Sequence, residues 1–477
     1  MSQRGAGNQE GDAAPGRIPA DLARAADARH PAPAGQPVRS ALAADLAQPS
    51  LVAGMARSAL VLLVVGAAVG SACAFFLWSL DRVTSLRLDH PRLLYLLPLA
   101  GLSIGLLYHA TGRRVAAGND LLMDEIHEPG AGIPKRMAPL VLLGTLLTHL
   151  CGGSAGREGT AVQMGGAIAS FAARRVALWT RLDARTLLMA GIAAGFGGVF
   201  GTPLAGAVFA LEVPAIGRMR WAGTFPCLLA SVTADLACEA WGIHHADYRA
   251  LLGPAAGGHA FAWLLLAKVV LAGGACGLVS RGFAALTHAL QRAFATTIRR
   301  PWLRPVAGGL LVIALVALVG SRDFLGLGVR APQPGAVTIE SAFREGGAHA
   351  WSWLWKTLFT AATLGSGFKG GEVTPLFFIG ATLGHALATL LAAPVTLLAA
   401  VGLVAVFAGA TNTPLACTVL AVELFGPADA PWFAVGCLLA WLCSGHSGIY
   451  GSQRIHKSKP GTSAVRPGTR LRDARRR

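Results

Sequence analysis

Residues 152–160 read GGSAGREGT, and residues 365–375 read GSGFKGGEVTP. Both stretches are Gly-rich, both carry a carboxylate, and both lead into an apolar run. Gly156-Arg157-Glu158-Gly159-Thr160 aligns with Gly370-Gly371-Glu372-Val373-Thr374 at an offset of 214, and the match continues through Gly166-Ala167 and Gly380-Ala381. A second pair follows in the same order, TPLAGAVFALE over 202–212 and TPLACTVLAVE over 413–423, at an offset of 211. Two motifs in one order at nearly one offset mark a duplicated chain, with halves of about 51–255 and 256–452. The spacing alone leaves open whether the halves run parallel or inverted.

The rest of the chain says what kind of medium these halves occupy. Of 477 residues, 53% are hydrophobic and only 14% charged, and the mean hydropathy is +0.53. Soluble domains carry roughly 25% charged residues, so a water-soluble globule is excluded, as are a coiled coil and a disordered chain. The composition is that of an all-α polytopic membrane protein. Stretches 57–79, 92–108, 259–280 and 305–320 read as ordinary spans, whereas 144–170, 186–213, 357–390 and 396–424 are apolar but cut by Gly and Pro. Broken helices persist at membrane depth only where their freed backbone groups are buried in protein or line a cavity. Paired interruptions in two halves point to a transporter's substrate site.

Residues 1–50, which balance five Arg against five acids, read as a cytoplasmic extension with one surface helix around 38–48. The tail 453–477 carries nine Lys/Arg against Asp473 and reads as mobile, cytoplasmic and lipid-facing, not as a nucleic-acid arm. The eight cysteines lie mostly in apolar runs with no CxxC pair, and no HExxH occurs, so neither a metal centre, a cofactor nor an intramembrane hydrolase is implied.

A Gly-rich turn ahead of an apolar helix presents free backbone N–H groups and the positive end of a helix dipole, which together bind anions. Four such N-termini meeting near the midplane would hold an anion without a fixed positive charge, and so could also release it. Glu158 is the sharpest residue. A carboxylate in apolar surroundings marks ion or proton pathways. At a helix N-terminus it competes with a substrate anion for the same N–H groups, and a proton decides which of them stays. The competing reading is an ion pair with Arg157. Glu372 either joins proton movement or pairs with Lys369. Glu212 and Glu423, related by the repeat, read as structural caps at helix ends. Asp124, Glu125 and His127 read as a solvated mouth.

GREG before an apolar helix, Gly201-Thr202-Pro203-Leu204-Ala205-Gly206 leading to Glu212, and Gly367-Phe368-Lys369-Gly370-Gly371-Glu372-Val373-Thr374-Pro375 together resemble the CLC family of chloride channels and anion/proton antiporters. The resemblance covers about 51–452. It implies a homodimer of inverted-repeat subunits with broken and re-entrant helices, multi-pass in the inner (plasma) membrane, with both termini cytoplasmic. It gives Glu158 the role of gating and proton-carrying glutamate. Several positions depart from the chloride-transporting members. Gly118-Asn119-Asp120-Leu121-Leu122 stands where GSGIP is usual, Thr160 where GREGP has Pro, and Val213 where many antiporters have an internal proton glutamate. These departures resemble the CLC-F fluoride/proton antiporters. The implied anion site comprises Asn119, Gly156, Arg157, Gly159, Glu372, Val373, Thr374 and Tyr450. Fluoride holds its water tightly, and the Asn119 amide with the Thr374 and Tyr450 hydroxyls would supply close donors in its place. The implied partners are fluoride, protons and lipid. The alternative is a chloride channel or chloride/proton antiporter of the same fold.

Overall fold

In the computed structural model, residues 49–176 and 179–474 are described, so the expected extension lies outside them up to residue 48. Helix α1 (Pro49–Asp89) and α2 (Leu97–Thr111) are followed by a short α3 (Asn119–His127), α4 (Met137–Leu150), α5 (Glu158–Val176), α6 (Ala184–Phe200), α7 (Pro203–Glu212) and α8 (Thr224–Ala240). The second half runs α9 (Trp263–Thr297), α10 (Arg304–Val319), α11 (Ser352–Ser366), α12 (Val373–Leu391), α13 (Val395–Thr411), α14 (Pro414–Phe425) and α15 (Ala430–Cys443). Met55 onward forms one compact unit.

Each break foreseen in the sequence is a helix boundary with a local cause. Region 144–170 divides where α4 ends and α5 begins at Glu158, and region 357–390 divides between α11 and α12. Region 186–213 parts at Gly201, which is left-handed (φ 71°), with Pro203 opening α7. Region 396–424 parts at Asn412, left-handed at φ 60°, with Pro414 opening α14. Gly and Asn take that conformation at little cost, and Pro fits the first helical turn.

Two layers of environment result. Helix α13 is apolar on all sides and buried from Leu397 to Thr411, as expected of a central helix. Among the described residues, six helices are long and apolar enough to cross a membrane, α1 and α9 among them. The outer ones present bare Trp78, Leu99, Phe225, Leu236, Leu278 and Leu318, which suits lipid and not water. The chain is an integral membrane protein.

The repeat is visible in the packing. Helices α5 and α6 touch backbone to backbone: a Cβ on Gly165 would stand 2.1 Å from the Gly191 carbonyl oxygen. Helices α12 and α13 repeat the contact, with 2.1 Å from Gly380 to the Gly402 carbonyl. The relative direction of the halves follows from two carboxylates. Glu212, closing α7, accepts from Leu415 N (3.2 Å) and Ala416 N (2.8 Å) at the start of α14. Glu423, near the end of α14, accepts from Leu204 N (2.9 Å) and Ala205 N (2.7 Å) at the start of α7. Such reciprocal capping requires α7 and α14 to lie antiparallel, so the halves are inverted.

The tail differs from its expectation. Residues 453–474 are packed, with β1 (Ala215–Ile216), β2 (Arg454–Ile455) and β3 (Thr469–Arg470) forming a small sheet closed by α16 (Leu471–Ala474). Gln453, Ile455 and Leu471 are fully buried. Arg470 pairs with Asp124 at 3.0 Å, and Arg454 pairs with Glu128. Acids on and beside α3 thus take basic charge that the sequence assigned to lipid.

Candidate functional site

The two Gly-rich turns meet. Gly156 N donates to Gly371 O (2.6 Å) and Gly371 N donates to Gly156 O (2.7 Å), an antiparallel bridge between the halves. The bridge brings the start of α5 against the start of α12. Only glycine fits the approach: a Cβ on Gly156 would lie 3.0 Å from Gly371 O and 2.8 Å from a Glu158 carboxylate oxygen.

Glu158 is 1% exposed and occupies this junction. Its Oε2 accepts from Arg157 N (3.1 Å) and from Thr374 N (3.1 Å), and its Oε1 accepts from the Thr374 hydroxyl. Its carboxylate therefore rests on amide hydrogens from both halves, at the positive ends of two helices. Arg157 also lies 3.5 Å from Glu158 Oε1 through its Nε. The two neighbouring side chains can meet because Arg157 precedes the helix instead of lying within it. The ion pair and the N-terminal seat coexist.

Asn119 and Glu372 converge on the same point from other elements. A Cβ on Gly159 would stand 3.3 Å from Asn119 Nδ2 and 3.4 Å from Glu372 Oε2. Asn119 Oδ1 and Glu372 Oε2 are enclosed and bond nothing among the described residues. Gly118, left-handed at φ 59°, turns the chain into α3 and places Asn119 at its first position. Asn119, Glu372 and Tyr450 line one cavity of about 800 Å³, which Asp120, Lys369 and Tyr108 also line and which stops short of Glu158. Lys369 Nζ lies 4.3 Å from the Tyr108 ring centroid, a cation–π contact made beside whatever it shares with Glu372. Val373 and Thr374 are buried at the opening of α12.

Three helix N-termini gather here, those of α3, α5 and α12. The starts of α7 and α14 do not join them, because Glu423 and Glu212 already fill them. Asp124, Glu125 and His127 are engaged otherwise. Asp124 meets Ser452 Oγ at 3.1 Å, Glu125 accepts from Gly130 N and Gly132 N, and His127 Nε2 bonds Pro214 O at 2.7 Å.

Three further residues contribute, of which sequence reasoning noted only Thr160. Thr160 bonds the Thr145 hydroxyl at 2.7 Å inside the protein, which accounts for a polar residue at a position where Pro is usual. Gln453, in the tail, donates to Val213 O (2.8 Å) and Thr411 O (2.9 Å) and accepts from Asn412 Nδ2 (2.9 Å). Ser452 N donates to Asp120 Oδ1 at 2.9 Å. The tail thereby clamps α3, the end of α7 and the Tyr450 loop. The motif breaks flagged Thr160, but no periodic or compositional signal marks Ser452 or Gln453.

A carboxylate held on amide hydrogens where two inverted, glycine-bridged halves of a membrane protein meet is a seat built for negative charge. The chain belongs to the voltage gated chloride channel (CLC) family, whose pattern it matches over residues 100–445. That family is one of channels and transporters. The chain is 50% identical over 402 residues to a chloride/fluoride channel protein of Pseudomonas syringae pv. tomato, covering 83% of this chain and 86% of the relative. It is similar to the crystal structure of a CLC-type fluoride/proton antiporter, with TM-score 0.77, 35% identity, and coverage of 84% of this chain and 98% of that one. A slow cyanobacterial Cl⁻/H⁺ antiporter shares the fold at TM-score 0.69 and 18% identity, over 81% of this chain and 94% of the other.

Proposed function

We propose that this chain is a fluoride/proton antiporter that exports fluoride from the cytoplasm, working as a homodimer in the plasma membrane with both termini cytoplasmic. The observation that carries the reading is the Glu158 carboxylate on the N–H groups of Arg157 and Thr374. An anion arriving from the cavity needs those same donors. While Glu158 is charged it holds them and repels the newcomer. A proton removes the repulsion and weakens each of its hydrogen bonds, since charge-assisted bonds are about twice as strong as neutral ones. The neutral side chain then yields the amides to the anion. When the anion leaves and the carboxylate returns, the proton must have gone, which couples the two movements.

Glu372 supports the coupling. Its Oε2 lies against Gly159, the residue next to Glu158, and two neighbouring carboxylates with an arriving anion between them resist being charged all at once. Fluoride is favoured over chloride by the donor set. The Asn119 amide and the Thr374 hydroxyl and N–H suit a small, strongly accepting ion. The antiporter with a similar structure and the relative whose name includes fluoride agree with this reading. That relative's name also includes chloride, so a chloride channel or chloride/proton antiporter is the second reading. Flux from liposomes holding the purified protein separates them. Fluoride efflux that exceeds chloride efflux and drives proton uptake against a gradient is expected. Chloride flux equal to or above fluoride flux would remove the fluoride assignment.

A further inference from the structure

A second cavity, of about 490 Å³, lies where α1 and α10 end, lined by Arg87, Leu94, Gly152, Val316, Arg322 and Gln333 among others. It is rich in positive charge. Arg87 stands in the last turn of α1; its Nε is enclosed and meets no acceptor among the described residues. Its guanidinium rests against Gly326, where an added Cβ would approach Nη2 to 3.0 Å. Arg322 is held by no carboxylate among the described residues. Behind the same turn, Lys356 is fully buried and donates to Phe324 O (3.1 Å) and Gly326 O (2.7 Å). The Asp323 carboxylate of that turn accepts from Val337 N (2.9 Å) and is not part of the cavity lining. An enclosed, unbonded Arg87 Nε beside a half-buried Arg322, neither arginine paired with a carboxylate among the described residues, suits an anion supplied from outside the chain.

The ligand's chemistry follows from the lining. A guanidinium presents a planar fork of donors that matches phosphate oxygens in pairs. The space is far larger than a halide, and Leu88, Leu94, Val316 and Ala317 give it an apolar wall. It sits at the ends of two helices long enough to cross a membrane, the level at which headgroups lie. Leu318, one residue past that wall, is 73% exposed, so the rim passes onto the lipid-facing side. We propose that this cavity binds the phosphate of an anionic phospholipid headgroup, with Arg87 and Arg322 as its charged donors and the apolar wall against the lipid's glycerol and upper chains. Gly152 belongs to the turn leading to Glu158, so the bound lipid braces that turn. The proposal rests on the membrane fold and not on which anion is transported.

The test uses the full chain, purified and stripped of lipid in detergent. Its unfolding midpoint is followed with short-chain phosphatidylglycerol, with phosphate-free diacylglycerol of the same chains, and with inorganic phosphate. Phosphatidylglycerol is expected to raise the midpoint by about 4 °C or more at saturation, with little response to the other two. The Arg87→Gln/Arg322→Gln double variant is expected to lose that rise and to retain about tenfold less phosphatidylglycerol by native mass spectrometry. An equal rise with inorganic phosphate, lost in the double variant, upholds phosphate recognition but assigns a soluble source. An equal rise with diacylglycerol, or an undiminished phosphatidylglycerol effect in the double variant, overturns the proposal. If the double variant does not fold, Arg322→Gln alone carries the test, and Arg87→Lys should keep part of the rise by keeping the charge without the fork. Fluoride flux is not a readout, so failure here and failure of the antiport reading are distinguishable.

Discussion

Three glutamates in this protein reach across from one half to cap a helix of the other, and they do not do the same work. Glu212 and Glu423 each place both carboxylate oxygens on consecutive N–H groups of the opposing helix, and neither lines a described cavity. Glu158 draws one N–H from its own turn and one from α12, adds a hydroxyl, and stands beyond the end of a cavity that Asn119, Glu372 and Tyr450 line. On the proposed mechanism, the same capping chemistry gives a fixed clasp where nothing competes for the donors, and an exchangeable stopper where an anion arrives.

The comparison is broken most directly at Glu158. Glu158→Gln keeps the shape but removes the proton carrier, and proton uptake driven by fluoride should fall by about a hundredfold or more. The variant should stay folded. Coupled uptake at the normal rate would show that Glu158 is one more clasp. Glu212→Ala should do the opposite. It strips two buried N–H groups of their acceptor and should cost about 1–3 kcal/mol of stability. Unfolding should come earlier, while the fluoride-to-chloride flux ratio of the surviving protein is unchanged. A shifted ratio would place Glu212 on the anion's route.

How much of this was legible beforehand divides along the same line. The breaks at Gly201-Thr202-Pro203 and Asn412-Thr413-Pro414 could be read because Gly, Asn and Pro act locally. The clasp role of Glu212 and Glu423 could be read because the repeat set them in equivalent places. The convergence of Asn119 on Gly159 came only through the family resemblance, since no spacing ties residues 40 positions apart. The tail was misread as mobile. Its fixing residues, Ser452 and Gln453, are isolated polar side chains whose partners lie more than 200 residues away in the case of Val213 and more than 300 in the case of Asp120. Lys356 was passed over for a like reason, because its partners are carbonyls, which sequence does not distinguish.

Thr374 sharpens the contrast at a smaller scale. Thr374→Val removes one donor that both Glu158 and the anion would use, and leaves the N–H in place. Fluoride affinity in flux titrations should weaken by about tenfold, with protons still coupled. No change in affinity would confine the hydroxyl to holding Glu158. The least effect is expected in the tail. The Arg454 partner, by hydrogen bond and charge, holds the Glu128 carboxylate below the usual range. That pairing is therefore complete at neutral pH and lost only as pH falls through the lowered value. Both ends of the Arg470–Glu128 contact are reachable by water, and Arg470→Gln should lower fluoride flux by less than about twofold between pH 6 and 7.5. A larger drop would mean that the tail sets the position of α3 more tightly than its exposed ion pairs suggest.

The paired backbone bonds between Gly156 and Gly371 limit what kind of machine this can be. Rocking one half on the other would tear both bonds between two buried glycines, at roughly 1–3 kcal/mol for each group stranded. Rotating a single side chain breaks neither. The cycle proposed here keeps the frame rigid and lets one short lever swing, so any slow step should follow the torsions of that lever and not the viscosity of the surrounding bilayer.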